Sequence, residues 1–477
     1  MKDKIFKKLV KRSSYASTGI LVARFSAAIA GIVLARAIGA DQFGVYATVW
    51  ALVNLSASFT NIGITSGLVR DGARSPLSLP ILLGNTILVK VTIGVSALII
   101  AYFSRSLVTN NVKVPMLFLP LALAVFSTIC VEPFFAVLYV KGKQKIVALF
   151  EIGRGVIFLF GFLVLASGKF DLASFAWFQG LLYLAALLIV CIFVISKVSI
   201  SINLSSLRKQ VTCSLVFGIS SIVYSVYSQL SILLLSHFCL EKEVGYFAVA
   251  LRFVTIIFVI GAGIKNNVFL PLLFNLYETN REKFRSVCNF MQKCFIPLGI
   301  FAAAALYVCS DALIMILLGE EYRQSVGILR ILCWTIALHF GVIPIDAAFT
   351  TANKMWTKIA LQICVTFIGV IIGLVAIRNY GSIGAIFTEL TISLSLMLLF
   401  VPFGYRENLI EMSGIKRIIL PVGISLGFSI LITEILPQAY FQRPSLFFIV
   451  SLLVLGPTVL KISRDYSLGL ELERKIR

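Results

Sequence analysis

Apolar stretches alternate with short polar breaks along almost the whole chain. Cut at those breaks, the sequence gives fourteen apolar segments: 14–37, 45–68, 80–103, 114–138, 146–166, 173–196, 213–237, 245–272, 293–310, 325–351, 359–378, 382–403, 417–436 and 445–462. A helix needs roughly 20 apolar residues to cross a bilayer core, so the pattern predicts an all-α polytopic membrane protein with about fourteen transmembrane helices. The longest polar intervals, 197–212 and 274–292, are too short to fold as soluble domains. The first segment is followed directly by others and carries Arg24 near its middle, so it is expected to be a retained span and not a cleaved signal. Composition agrees with the pattern: 59% of the 477 residues are hydrophobic and only 13% charged.

The formal charge of +21 raises the question of nucleic acid, and the positions of the basic residues answer it. Alternate loops hold Lys2 to Arg12, Arg70 and Arg74, Lys141 to Lys145, Lys197 to Lys209, Arg281 to Lys293, Lys354 and Lys358, Arg406 to Arg417, and Lys461 to Arg477. The opposite loops hold only scattered cations such as Arg105, Lys113, Lys169 and Lys242, a bias of roughly four to one. The positive-inside rule then places both termini in the cytoplasm, and the basic charge is read as topology and contact with anionic lipid, with no nucleic-acid partner.

The halves of the chain echo one another. "LARAIGADQFGVYATV" from Leu34 aligns with "LSHFCLEKEVGYFAVA" from Leu235 at an offset of 201, pairing Gly44 with Gly245 and Ala47 with Ala248. A second match, at an offset of 211, pairs Pro133, Ala136 and Lys143 with Pro344, Ala347 and Lys354. These matches predict two parallel six-helix lobes, 1–200 and 201–405, followed by two further helices and a tail over 406–477.

Polar residues inside the spans mark a candidate interior. Asn54, Ser58, Asn61 and Thr65 share one helical face, as do Ser214, Gly218, Ser221, Ser225 and Ser228, and Ser17, Arg24 and Gly31 lie seven apart. Small and hydroxyl residues also serve close helix packing, whereas asparagines at depth point to a wet surface. Ionised side chains at mid-span cost about 2.5–3.5 kcal/mol on insertion scales and face a partner or a water-filled path. Arg24, Arg252 and Lys90 are therefore candidate cavity cations, and Asp346, Glu132 and Glu389 candidate acids. Arg36, Lys265 and Arg330 are expected to snorkel to an interface, and Glu151 and Arg154, three apart, to neutralise each other.

"LARAIGADQFGVYA", "VGYFAVALRF" and "MILLGEEYRQSVGILRIL" resemble the polysaccharide-exporting branch of the multidrug, oligosaccharidyl-lipid and polysaccharide exporter superfamily, and within it the O-antigen flippases. The resemblance spans the whole chain. It implies two lobes facing each other across a cationic cavity that opens alternately to either side of the bacterial inner membrane. The cavity would carry an undecaprenyl-pyrophosphate-linked oligosaccharide outward, without a cofactor and in exchange for protons or sodium. Polymerase and chain-length proteins of the same pathway are the implied partners. Members often carry an acid at the end of helix 7, where this chain has Gln229 and Ser231.

On that reading Arg24, Arg252 and Lys90 meet the pyrophosphate, Asn54, Ser58, Asn61, Ser221, Ser225 and Ser228 line the cavity, and Asp346, Glu132 and Glu389 are the candidates for ion coupling. Two alternatives stand beside it. A multidrug or cation exporter has the same architecture but favours an anionic cavity. A polytopic glycan polymerase or glycosyltransferase usually sets its catalytic groups in a sizeable loop, which this chain lacks, and it has two histidines and no Asp-x-Asp pair. An enzyme is therefore not expected. The nine cysteines show no Cys-x-x-Cys spacing, so no metal site is expected, and no phosphate-binding glycine loop for ATP occurs.

Overall fold

The computed structural model describes residues 2–410 apart from Asn110 and Lys169. The two segments expected at 417–436 and 445–462, and nearly all of the proposed 406–477 unit, lie outside the described residues. Within them the regular elements are helices: α1 Lys2–Ser58, α2 Ile64–Arg74, α3 Leu79–Ser104, α4 Val114–Val140, α5 Gln144–Ser167, α6 Leu172–Ile195, α7 Leu204–Phe238, α8 Glu241–Ile264, α9 Leu270–Thr279, α10 Arg281–Leu317, α11 Gln324–Leu332, α12 Trp334–Thr351 and α13 Met355–Arg406. A single π-turn, Lys265–Phe269, joins α8 to α9. Ten helices among the described residues are long and apolar enough to cross a membrane. The chain is a multi-pass membrane protein, and its outward faces suit lipid. Phe367, Ile371 and Val375, four apart on α13, are each at least 60% exposed, a stripe that water would penalise and acyl chains accept.

Two of the ten are bent hairpins. In α13 the backbone leaves helical geometry only at Gly381 (φ 56°, ψ −129°). A Cβ on Gly384 would touch the Ala376 carbonyl, one on Gly373 would meet Thr388, and one on Gly369 would meet Ile392, so the arms on either side of Gly381 run antiparallel. In α1 the break is at Gly39 (φ 80°, ψ 169°). Both reversals use the same device. The Gly39 turn is followed by Ala40, whose N–H donates to Glu321 Oε1 at 2.7 Å, and the Gly381 turn by Ser382, whose N–H donates to Glu243 Oε2 at 3.1 Å. In each case a carboxylate from another helix satisfies the orphan amide that starts the returning arm. Gly39→Ala is expected to cost about 1–3 kcal/mol of stability, since a side chain there is strained and would meet Glu321; thermal unfolding in detergent checks it.

The sequence-level boundaries shift where glycine intervenes. The span expected at 45–68 ends at Ser58, because Gly63 (φ 76°, ψ 0°) turns the chain before the short α2 begins. The segment expected at 325–351 divides into α11 and α12 at Cys333. Asn203 and Asn280 start α7 and α10 by accepting backbone N–H groups. Asp171 caps α6 the same way, and its bonds from the Ser174 amide and hydroxyl hold its pKa below the usual carboxylate value.

The offset of 211 appears as one turn built twice. After α4 the amide of Lys143 donates to the Leu138 carbonyl at 2.8 Å across left-handed Gly142, and after α12 the amide of Lys354 donates to the Phe349 carbonyl at 3.2 Å across left-handed Asn353. Both helices contain a proline, Pro133 and Pro344, nine residues before the left-handed position, at the residues the match pairs. The offset of 201 appears as a mutual contact. A Cβ on Gly44 would lie 1.8 Å from the Glu241 carbonyl oxygen, and one on Gly245 would lie 2.0 Å from that of Ala40, so each matched glycine lets the other stretch approach to backbone contact.

Candidate functional site

The first arm of α1 runs antiparallel along α8. Ala40 lies against Gly245, Gly31 against Arg252 and Leu21 against Gly263. Arg24 sits on the α1 face that carries Gly31, seven residues and so about 10 Å along the axis from it. Its side chain is exposed. The guanidinium lies within electrostatic reach of Glu151 on α5 and of Tyr224 on α7, and so stands between the first and second halves of the chain. Among the described residues no carboxylate comes within ion-pairing distance of it.

Around Arg24 the first half contributes paired charges. Lys90 on α3 is 1% exposed and bonded to Glu132 of α4, whose side chain is 42% exposed. Arg154 donates to Glu151 at 2.6 Å, and its guanidinium lies 4.7 Å from the Tyr183 ring of α6. The second half contributes a triad. Asp346, two residues beyond Pro344 in α12, accepts from Lys265 on the π-turn at 2.9 Å and from Lys358 on α13 at 2.6 Å. His339 and Tyr224 both lie within electrostatic reach of Lys265 and Asp346. Glu389 on the returning arm of α13 faces Ser231 of α7, the neighbourhood where the sequence lacks an acid. Among the described residues no basic side chain pairs with it.

The structure distributes the sequence-derived candidates unevenly. Arg24, Asp346 and Glu389 all lie within electrostatic reach of Tyr224, and Arg24 and Glu132 within that of Glu151, with Lys90 sealed behind its carboxylate. Arg252 is elsewhere, about two turns along α1: its guanidinium covers Gly31, approaches the Phe43 ring at 5.5 Å and lies within electrostatic reach of Tyr46, which itself donates to Gln179 at 2.9 Å. Asn54, Ser58 and Ser228 donate to the carbonyls of Trp50, Leu55 and Ser225 on their own helices, at 2.7, 2.6 and 3.0 Å. Asn61 is exposed beyond the end of α1, while Ser221 and Ser225 are half-buried on α7. Lys265 does not snorkel; it is drawn to Asp346. Lys358, read from the sequence as part of a basic loop, is buried in the same triad. Spacing could not reveal the first of these pairs, since Asp346 is 81 residues from Lys265, and Lys358 meets Asp346 across the turn between α12 and α13.

Beyond Arg252 a polar seam lies at the face where α1 and α13 reverse. Tyr322 donates to the Ala35 carbonyl at 2.8 Å, Arg36 to the Ile316 carbonyl at 3.1 Å, and Asn111 to Glu241 at 2.7 Å. Glu321, holding Ala40, completes the set. At the opposite, lysine-rich face, α7 meets α1 to α3: Gly218 packs on Ile62, and Gln210 donates to Thr86 at 3.0 Å.

Residues 33–327 match the family model described as "Polysaccharide biosynthesis protein". The chain belongs to that family. No curated protein matches it by sequence. Among solved structures, this polysaccharide biosynthesis protein is similar to a "Lipid II flippase MurJ, inward closed conformation", with TM-score 0.73 at 14% identity, covering 95% of this chain and 99% of that one. It is also similar to an inward-facing multidrug resistance MATE family transporter, with TM-score 0.62 at 17% identity over 86% and 94% of the two chains. A transporter from Pyrococcus furiosus, described with a binding pocket of reverse polarity, gives TM-score 0.63 at 15% identity over 86% and 95%. At these identities the likeness is one of fold alone.

Proposed function

We propose that this protein is a flippase for an undecaprenyl-pyrophosphate-linked oligosaccharide, an O-antigen or other polysaccharide repeat unit. On this reading it moves the unit from the cytoplasmic to the periplasmic leaflet of the bacterial inner membrane by alternating access of two lobes, 1–200 and 201–405. The observation that carries the reading is Arg24: a permanent cation at mid-span, exposed, without a carboxylate partner among the described residues, and facing both halves of the chain. Membership of a polysaccharide biosynthesis family supports the substrate class.

The physical problem is desolvation. A pyrophosphate and its glycan would shed their hydration in hydrocarbon at a cost of several kcal/mol per polar group. A guanidinium offers two parallel hydrogen bonds to one phosphate, replacing water with a preoriented donor, while the polyprenyl tail stays in lipid. The headgroup enters from the lysine-rich face, assigned to the cytoplasm, and leaves when the seam of Tyr322, Arg36 and Glu321 opens. Arg252 lies directly beneath that seam, about two helix turns beyond Arg24, and adds attraction along the exit path. The product then meets polymerase and chain-length proteins in the outer leaflet.

Among the described residues these interior groups hold one more cation than acid: Lys90 and Arg154 have one carboxylate each, Lys265 and Lys358 share one, Arg24 has none, and Glu389 is the acid without a cation. That balance favours an anionic cargo over the cations of a multidrug exporter. Fluorescent undecaprenyl-pyrophosphate oligosaccharide in proteoliposomes tests the reading: protection from a non-permeant quencher must change with time only when the protein is present, and a lipophilic cation must not compete.

For ion coupling we propose Glu389, the interior acid without a basic partner. Transport in proteoliposomes is expected to rise several-fold with an imposed proton or sodium gradient, and Glu389→Gln to remove that dependence. Equal transport with and without gradients in the wild type would exclude coupling.

A further inference from the structure

The second arm of α1 and the helix α3 stand close at one level and part beyond it. A Cβ on Gly94, near the middle of α3, would lie 3.4 Å from the Thr60 methyl. From that level to the end of α3 a crevice of about 500 Å³ opens between them, walled by residues from 52–59 on one side and from 92–104 on the other. The gap has a cause in the sequence, because α3 presents Ser96, Ala97, Ala101 and Ser104 to it, side chains too small to reach across. Leu52 and Ala101 are buried at its back, while Phe59 and Ile100 are exposed at its mouth, on the lipid side.

The walls decide what can fill it. Three of the four hydroxyls, those of Ser56, Thr92 and Ser104, donate to carbonyls of their own helices at 2.9, 2.8 and 2.8 Å. Water would lack the partners it needs there, and an empty crevice would forfeit the dispersion contacts of its lining. A hydrocarbon chain suffers neither loss. At about 30 Å³ for each water-sized methylene, the volume takes roughly seventeen. Residues 92–104 rise about 18 Å, close to the depth of one leaflet, about half of a 30 Å core. Volume and length thus fit one acyl chain of a single leaflet, and an undecaprenyl chain is far too long.

Charge marks where the headgroup belongs. Residues 105–113, which lead from the end of the crevice to α4, carry Arg105 and Lys113 and no acid. Arg105 directly follows Ser104, donates to the Tyr102 carbonyl and lies 3.9 Å from the Tyr102 ring. Among the described residues it pairs with no carboxylate, so most of its five N–H donors stay available to a phosphate.

We infer that this crevice binds a membrane glycerophospholipid, with one acyl chain between the second arm of α1 and α3 and the phosphate at Arg105. The lipid takes the place of the side chains that the two helices lack there. The site is separate from Arg24 and independent of the cargo.

Native mass spectrometry of the full chain, extracted in mild detergent and washed of loosely held lipid, tests the site. The wild type is expected to retain one phospholipid. Ala97→Phe, whose ring would occupy the crevice, is expected to reduce retention to background while the protein still unfolds cooperatively, and Arg105→Gln to reduce it about tenfold, the worth of a charge-assisted hydrogen bond. Should Ala97→Phe fail to fold, Ser96→Trp, at an exposed position on the same wall, blocks the crevice from its mouth and must give the same loss. Retention at the wild-type level in a folded crevice variant, no retained phospholipid in the wild type, or a polyprenyl phosphate in its place would each overturn the site. Unchanged retention in Arg105→Gln would overturn the phosphate contact.

Discussion

Arg24→Ala is expected to reduce export to background while the protein still folds, inserts and unfolds at nearly the wild-type temperature. Its side chain makes no ion pair among the described residues and is exposed, so its removal leaves no buried charge stranded. What disappears is the phosphate's substitute for water at the middle of the bilayer. Arg24→Lys keeps the charge but loses the planar fork, and a partial loss on the order of tenfold is expected, the worth of about one charge-assisted hydrogen bond. Complementation of a strain lacking its own flippase, with protein level and thermal unfolding measured alongside, checks both. Full activity of the alanine variant would remove Arg24 from the account.

Gly245→Val is expected to be as damaging by a different route. A side chain there meets the Ala40 backbone, which cannot move aside as a flexible side chain could. The α1–α8 seam would be held apart, and with it the bonds from Tyr322 to Ala35 and from Ala40 to Glu321. Alternating access needs this face to close, so transport is expected to fall to background even though Arg24 is untouched. A single cysteine at Ala248, buried on the same face of α8, reports the cause in an otherwise cysteine-free chain. A membrane-impermeant maleimide is expected to label it faster in the valine variant. Unchanged labelling together with preserved transport would show that the seam is not a gate.

Much of the fold was legible because hydropathy has to match the bilayer. Twelve of the expected spans have a helical counterpart among the described residues once α1 and α13 are divided at Gly39 and Gly381. The tightness of those two turns was not legible, since it depends on Glu321 and Glu243 arriving from distant helices. The pairing of Gly44 with Gly245 was visible as an internal match, but its meaning as a mutual backbone contact was not.

Within the candidate site, Arg24 announced itself by its depth in an apolar run. Asn54, Ser58 and Ser228 looked like cavity donors on a helical wheel, yet a wheel cannot tell a free amide or hydroxyl from one folded back on its own backbone. Lys265 and Lys358 were hidden for the opposite reason. Each lies at a helix end where a lysine ordinarily reaches for water, and only the packing of α12 between the π-turn and α13 brings Asp346 to them.

The central claim is that a lipid phosphate rests between the halves of the chain, beside Arg24. Photo-crosslinking measures this most directly, using undecaprenyl pyrophosphate with a photoreactive group next to the phosphates and peptide mapping of the adduct. The account predicts adducts in the peptides that carry Arg24 and Tyr224, suppressed by unlabelled undecaprenyl pyrophosphate. Adducts confined to the lipid-facing stripe of Phe367, Ile371 and Val375 would contradict it.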